Sequence, residues 1–272
     1  MRRKNKMNYK VGFIGCGNMA SAIIGGLIKN TPVTPNQIIA ADAFEAAITR
    51  AKDNFGISVT TDNKTVATNC EILFLSVKPQ YYETVISEIK DVLSPDQVIV
   101  TIAPGKTLSW LAERLGSNIK IVRTMPNTPA LVGEGITGVC KNELVTDDEF
   151  EHVMSLISGF GLAEAIPESL MDVCVSVSGS SPAYVFMFIE AMADAAVHDG
   201  MPRAQAYRFA AQAVLGSAKM VLETGKHPGE LKDMVCSPAG TTIEAVRVLE
   251  EKGFRGAVMD AMKACTAKAK GI

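Results

Sequence analysis

The segment Pro228–Glu250, PGELKDMVCSPAGTTIEAVRVLE, carries the residues best placed for chemistry. A short helical pattern runs into Ser-Pro-Ala-Gly-Thr-Thr, and a second amphipathic helix follows. Thr241 and Glu244 have the spacing of a capping box, with Thr241 as N-cap and Glu244 at N3. Such a helix points free backbone N–H groups and the positive end of its dipole at whatever lies ahead, which suits a small anion such as a carboxylate. Thr242 sits one residue further in, so its hydroxyl is not needed for the cap and can donate a hydrogen bond to a ligand. An ordinary helix–turn–helix with a well-made cap accounts for the same residues without a ligand.

A second cluster lies near the start. Gly15-Cys16-Gly17-Asn18-Met19-Ala20 follows the strand-like Lys10–Ile14 and opens a helical pattern. This is the G-x-G-x-x-G/A dinucleotide fingerprint in its required setting. Gly15 permits the tight turn, Gly17 lets backbone approach a pyrophosphate, and Ala20 allows close packing of helix on strand. The next strand ends at Asp42, an acidic side chain that would bond the ribose 2′-OH of NAD and repel the 2′-phosphate of NADP. No arginine follows immediately to bind that phosphate. Ser76-Val77-Lys78-Pro79 and Ala103-Pro104-Gly105 each follow an apolar strand at its carboxyl end, where open α/β sheets bind ligands. Lys78 invites an acid/base reading; a cofactor or structural role is preferred.

The elements that must position these residues change character along the chain. Strand patterns at Lys10–Ile14, Gln37–Ala41, Glu71–Val77, Gln97–Ile102 and Lys120–Arg123 alternate with helical patterns at Met19–Lys29, Ala43–Phe55, Tyr81–Val92 and Leu108–Leu115. That alternation predicts a parallel sheet covered on both faces. Gly135–Lys141 and Gly161–Ile166 add candidate edge strands. After Pro167 strand signals fade. Ser181-Pro182 marks a helix start, with Ser181 as N-cap and Pro182 at N1, running to about Asp199. Arg203–Thr224 forms another helix, closed by Gly225. The expected fold is α/β: a Rossmann-type domain over residues 8–167, then an all-α domain over residues 168–272 for dimerisation and substrate binding. The helical half is rich in Ala and Met and must bury both faces, which argues for an intertwined dimer. Glu190 and Asp194 share a helix face, and a salt-bridge or polar-interface role is expected for them.

Composition excludes several classes. Among 272 residues, 47% are hydrophobic, which suits a sizeable core. The 27 basic and 29 acidic side chains leave a net charge of −2, so no nucleic acid or anionic membrane is expected as partner. Six scattered cysteines without a C-x-x-C pair read as reduced thiols of a cytoplasmic protein. The three histidines show no metal-binding spacing, and no metal is expected. No apolar run of membrane-spanning length is expected. The start MRRKNKMN is basic but lacks an apolar core; it reads as a disordered tail, with Met7 as an alternative start.

The chain from Lys10 onward resembles the Δ1-pyrroline-5-carboxylate reductases, the enzymes that make proline. The resemblance rests on Ser-Pro-Ala-Gly-Thr-Thr at 237–242, Met-Pro-Asn-Thr-Pro at 125–129, Gly-Ser-Ser-Pro-Ala-Tyr at 179–184 and the glycine loop. It implies hydride transfer from NADPH or NADH to the C=N bond of 1-pyrroline-5-carboxylate, giving L-proline. It implies that Ser237, Gly240 and Thr241 hold the substrate carboxylate and that the Thr242 hydroxyl bonds the ring nitrogen. Asn63 would lie near the adenosine, and the turns at 76–79 and 103–105 near the nicotinamide. Asp42 departs from the small polar residues several members carry, and Pro104 stands where the family has Ala and removes one N–H. Asn127 is expected to bond neighbouring backbone. Family likeness also implies a homodimer or an assembly of dimers. Two rivals remain open: a related imine or β-hydroxyacid oxidoreductase, and a non-catalytic dinucleotide-binding protein.

Overall fold

The fold is that of a computed structural model that describes residues 7–271. Most of the basic stretch read as a tail, residues 1–6, lies outside them. Eight strands form one sheet: β1 Tyr9–Ile14, β2 Ile38–Ala41, β3 Ser58–Thr60, β4 Cys70–Leu75, β5 Val98–Thr101, β6 Lys120–Met125, β7 Gly135–Lys141 and β8 Gly161–Ala165. Their order is β3-β2-β1-β4-β5-β6-β7-β8. The first six strands are parallel, β7 runs antiparallel to β6, and β8 is parallel to β7. The chain order reverses between β1 and β4, and a crevice at that switch point is where a ligand of such a sheet binds.

Alternation within each strand divides the core between the two faces. Val11, Phe13, Phe74, Val100 and Val122 pack with Ile23 and Leu27 of α1, Asn18–Asn30, on one face. Ile14, Leu73, Leu75, Ile99 and Ile121 pack on the other face with Tyr82 and Ile86 of α4, Tyr82–Ile89, and with Leu111 and Leu115 of α5, Leu108–Leu115. Ala51 of α2, Glu45–Phe55, and Leu156 of α6, Asp147–Ile157, join the α1 face, while Val66 of α3, Asn63–Asn69, joins the other. Sequence patterning missed β3, α3 and α6, yet two of these carry plain start signals. Asp62 caps α3 by accepting from the N–H groups of Lys64 and Thr65, and Thr146 with Glu149 forms a complete capping box on α6.

The chain divides into two compact units: one runs through Ser180 and takes back the chain from Thr266 onward, and the other is Ser181–Cys265. The second unit contains α8, Ser181–His198, α9, Arg203–Thr224, α10, Pro228–Val235, α11, Thr241–Glu251, and most of α12, Phe254–Ala269. Ala206 and Ala210 of α9 are buried, as is Ala193 of α8, and these small residues let the two helices approach closely. Asp194 pairs with Arg203, the salt-bridge role expected of it. Much of the unit's large apolar surface is uncovered within the chain: Phe186 is 63% exposed and Leu222 78%.

One expectation is corrected here. The helical stretch Glu168–His198, 31 residues, is long and apolar enough to cross a membrane by length and composition. The sequence reading overlooked it because it took Ser181-Pro182 as the first helix start after Pro167. In fact helical turns precede it: α7, Met171–Cys174, then a π-helical turn, Val175–Gly179. Ser181 is the first residue of α8 rather than its cap.

Candidate active site

The glycine loop lies at the switch point between β1 and β4. Gly15 has φ +101° and its N–H donates to the Ala41 carbonyl at 2.7 Å. A Cβ there would stand 2.7 Å from the Ser76 carbonyl oxygen, so only glycine fits. The Ser76 hydroxyl donates to the Gly15 carbonyl at 2.8 Å and to Ile14 at 3.1 Å, so Ser76 braces the loop. Gly17 is the N-cap of α1, which has no side-chain cap and no acidic residue in its first turn. A Cβ on Gly17 would enter open space. A bare helix N-terminus behind open space fits a dinucleotide pyrophosphate. Asn18 and Met19 begin α1, and buried Ala20 packs it against the strand layer.

Asp42 does more than the sequence reading assigned to it. Its Oδ2 accepts from the Cys16 N–H at 2.7 Å, and its Oδ1 accepts from the Phe44 N–H at 2.9 Å. The carboxylate therefore ties the glycine loop to the start of α2 while keeping lone pairs for a ribose hydroxyl. Cys16 has its N–H spent on Asp42 and its thiol buried, so it shapes the loop and offers no side chain to a ligand. Burial, aided by the Asp42 charge, pushes that thiol up to about 12, which makes it inert at neutral pH. Asn63 is the first residue of α3, which follows the edge strand β3. Its Nδ2 donates to Glu88 at 2.7 Å. Lys78 is exposed, and its carbonyl accepts from the Tyr81 N–H in the turn that begins at Pro79. Val77 packs against the core beside buried Ala103, and Gly105 has φ +73° at the tip of the turn after β5.

The segment after β6 is held from within. Asn127 is buried; its Nδ2 donates to the Ser178 carbonyl at 3.1 Å and its Oδ1 accepts from the Ile136 N–H at 2.9 Å. Its role is structural, as expected. The partner carbonyl has a covalent origin: Pro182 has no N–H to offer the carbonyl four residues earlier, which is that of Ser178. The π-helical turn makes room for the proline ring, and Asn127 takes up the orphaned acceptor. Arg123, 2% exposed, donates from Nη1 to Glu168 at 2.8 Å, with Asp172 at 3.7 Å from Nη2. Sequence reasoning gave Arg123 no chemical role. The available signal was a charge inside the apolar strand KIVRTM, because a buried charge requires a partner.

In the second unit, the Ser237 carbonyl accepts from the Gly240 N–H at 3.0 Å, closing a turn over Pro238 and Ala239. Ala239 has φ +57° and is the only non-glycine residue with positive φ among the described residues. That costs on the order of 1–2 kcal/mol and marks a loop held in a special shape. The expected capping box is not there. Gly240 is the N-cap of α11 and Thr241 its first residue, while Glu244 pairs with Arg247 instead. With Gly240 as cap, no side-chain hydrogen bond caps this terminus, so it keeps the anion-binding character expected of it. Thr242 is half-buried behind it. No group of three or more His, Cys, Asp or Glu among the described residues could hold a metal.

Comparison with known proteins gives the chain a family. A family model described as pyrroline-5-carboxylate reductase dimerisation matches residues 168–272, and one described as NADP oxidoreductase, coenzyme F420-dependent, matches residues 10–105. The pyrroline-5-carboxylate reductase of Escherichia coli is 57% identical over 98% of this chain and 99% of its own. The chain belongs to the pyrroline-5-carboxylate reductase family. Solved relatives agree: the Plasmodium falciparum pyrroline carboxylate reductase with NADP bound superposes with a TM-score of 0.88 at 32% identity, covering 98% of this chain and 99% of its own. The Coxiella burnetii reductase gives 0.89 at 35%, covering 97% and 98%. Within this family frame the glycine loop, Asp42, the turns after β4 and β5, and the α11 terminus are the features to assign.

Proposed function

We infer that this chain is a pyrroline-5-carboxylate reductase, transferring hydride from NAD(P)H to the C=N carbon of 1-pyrroline-5-carboxylate to give L-proline, the last step of proline biosynthesis. The observation that carries the reading is 57% identity over nearly the full length of both chains to an enzyme of that name. The reduced nicotinamide supplies the hydride, and the protein supplies binding, orientation and charge. Residues 8–167 form the dinucleotide-binding domain. Gly15–Ala20 seat the pyrophosphate, Asp42 and Asn63 face the adenosine half, and Ser76–Pro79 with Ala103 and Gly105 form the nicotinamide side. Residues 168–272 form the dimerisation and substrate domain. There the free backbone N–H groups that open α11, around Gly240 and Thr241, hold the carboxylate beside Ser237, and the Thr242 hydroxyl bonds the ring nitrogen. Because the nitrogen ends the reaction as an amine, a hydroxyl held at that atom orients the C=N bond and steadies the proton it carries.

The decisive assay follows NADPH and NADH oxidation separately with pyrroline-5-carboxylate and identifies the amino acid formed. Cofactor binding without turnover, or turnover only with β-hydroxyacids, would overturn the reading. Asp42 is the proposed selector between the cofactors. Asp42→Ser removes a carboxylate that repels the 2′-phosphate and should raise the NADPH/NADH ratio of kcat/KM by roughly tenfold, the equivalent of about 1.4 kcal/mol. An unchanged ratio would remove Asp42 from that role.

The enzyme is a cytoplasmic homodimer or an assembly of dimers in this reading. The exposed apolar side chains of α8 account for the membrane-like composition of Glu168–His198: with those of α9, they face a second copy rather than lipid. Sedimentation of the full chain should give at least a dimer, and Phe186→Glu should shift it toward monomer. A monomeric wild type at micromolar concentration would contradict this.

A further inference from the structure

One oxygen atom in the first unit joins three parts of the chain. Glu168 Oε1 accepts from the Arg123 guanidinium at 2.8 Å and from the backbone N–H of Leu108 at 2.7 Å. Arg123 belongs to β6, two residues before the Met125–Thr128 segment. Leu108 is the first residue of α5, just after the turn that holds Ala103 and Gly105. Glu168 opens the helical stretch that leads into α8.

The surroundings make Glu168 hard to replace. Thr101, Arg123 and Cys140 are register partners across β5, β6 and β7, so their side chains share one sheet face. Arg123 Nε and Nη2 and Thr101 Oγ1 are buried without a hydrogen-bond partner among the described residues. Asp172 stands 3.7 Å from Nη2, beyond hydrogen-bond range. Glu168 is therefore the acceptor to which this buried guanidinium is bonded, and loss of its charge leaves a buried cation without its hydrogen-bonded counter-ion.

The ladder between β5 and β6 ends at the pair Thr101 and Arg123. Beyond that pair the two chains part, and the Glu168 carboxylate ties Arg123, at the ladder's last rung, to Leu108, where the loop after β5 ends. We propose that Glu168 and Arg123 are a positioning pair for hydride transfer, holding the loops after β5 and β6 in the mutual register that sets the nicotinamide. The pair is assigned no contact with substrate or cofactor; it acts through the two loops. The inference rests on the reductase reading above and assigns it two residues that reading does not use.

The test compares wild type with Glu168→Gln and with the double variant Arg123→Met/Glu168→Leu. The second keeps the volume and removes both charges, a change buried ion pairs often tolerate. Each is measured for thermal midpoint, NADPH dissociation constant, kcat with pyrroline-5-carboxylate, and the deuterium isotope effect on kcat with NADPH labelled at the transferred position. The expected result is a folded protein that binds NADPH within about threefold of wild type, with kcat down roughly 10- to 100-fold, the cost of misplacing reactants by about an ångström. The isotope effect should rise, because the hydride step becomes more fully rate-limiting. Arg123→Lys, which keeps the charge, should recover part of kcat. A lower thermal midpoint with kcat and isotope effect unchanged would reduce the pair to a staple and overturn the proposal. A wild type that never turns over pyrroline-5-carboxylate would instead remove the functional reading, and the pair's role with it.

Discussion

Replacing Thr242 with Ala should lower kcat for pyrroline-5-carboxylate by roughly 10- to 100-fold while leaving the NADPH dissociation constant within about twofold. The estimate follows from a single hydrogen bond to a charged or charging nitrogen, worth about 1.5–3 kcal/mol. Thr242 is the second residue of α11 and half-buried, and no side chain caps that helix in front of it. With the carboxylate seated on that terminus as proposed, the Thr242 hydroxyl is the group assigned to the ring nitrogen. Removing the hydroxyl leaves the backbone N–H groups in place, so substrate KM should rise less than kcat falls. Thr242→Ser, which keeps the oxygen, should retain most of the activity. Steady-state kinetics paired with fluorescence titration of NADPH separates the two quantities. Equal turnover by wild type and Thr242→Ala would exclude the proposed role.

What could be read from the sequence was what depends on local pattern. The strands Gly135–Lys141 and Gly161–Ala165 and the helices Leu108–Leu115 and Arg203–Thr224 were placed to within a residue, because their apolar period and bounding glycines are unambiguous. The glycine loop was legible for the same reason: only glycine fits at position 15, and the fingerprint records that restriction directly. The misreadings arose where two local signals compete. Thr241 and Glu244 match a capping box as well as Thr146 and Glu149 do, yet only the second pair forms one. At Glu244 the rival partner, Arg247, lies one helical turn away and is charged, and the turn at Ser237–Gly240 brings Gly240 to the cap position instead. Ser181-Pro182 is a helix start in pattern, but a π-helical turn and the Asn127 amide satisfy the backbone around the proline, so the helix need not begin there from a loop.

The remaining site features are long-range, and no pattern within one segment reveals them. Asp42 reads as a ribose ligand from its place after β2; that it also holds the Cys16 N–H is a consequence of β1 and β2 lying side by side. Arg123 and Glu168 are 45 positions apart. Each is visible as an oddity, a cation in an apolar strand and an acid after Pro167, but only the fold brings them together. The glycine loop was thus more legible than the Arg123–Glu168 pair, because one strand–turn–helix builds it, whereas the pair is set by contacts between distant segments.

The other large effect is expected at Gly15. Gly15→Ala asks a side chain to adopt φ +101°, a conformation that costs on the order of 1–2 kcal/mol for a non-glycine residue. It also drives a Cβ to 2.7 Å from the Ser76 carbonyl oxygen, inside van der Waals contact with backbone that cannot swing away as a side-chain tip would. The loop can relieve this only by moving off β4, which breaks the Ser76 hydrogen bonds to Gly15 and Ile14 and tilts the N-terminus of α1. Two readouts should therefore move together. The thermal midpoint should drop by several degrees, as about 2 kcal/mol does for a domain of this size, and NAD(P)H affinity should fall at least tenfold because the pyrophosphate seat is displaced. Gly17→Ala separates the two effects. Its Cβ enters open space in the protein alone, so the fold should be nearly unaffected, while the cofactor, which needs that space, should bind markedly less well. If Gly17→Ala bound NADPH as tightly as wild type, the pyrophosphate would not lie over this loop, and the assignment of residues 15–20 to the cofactor would fail.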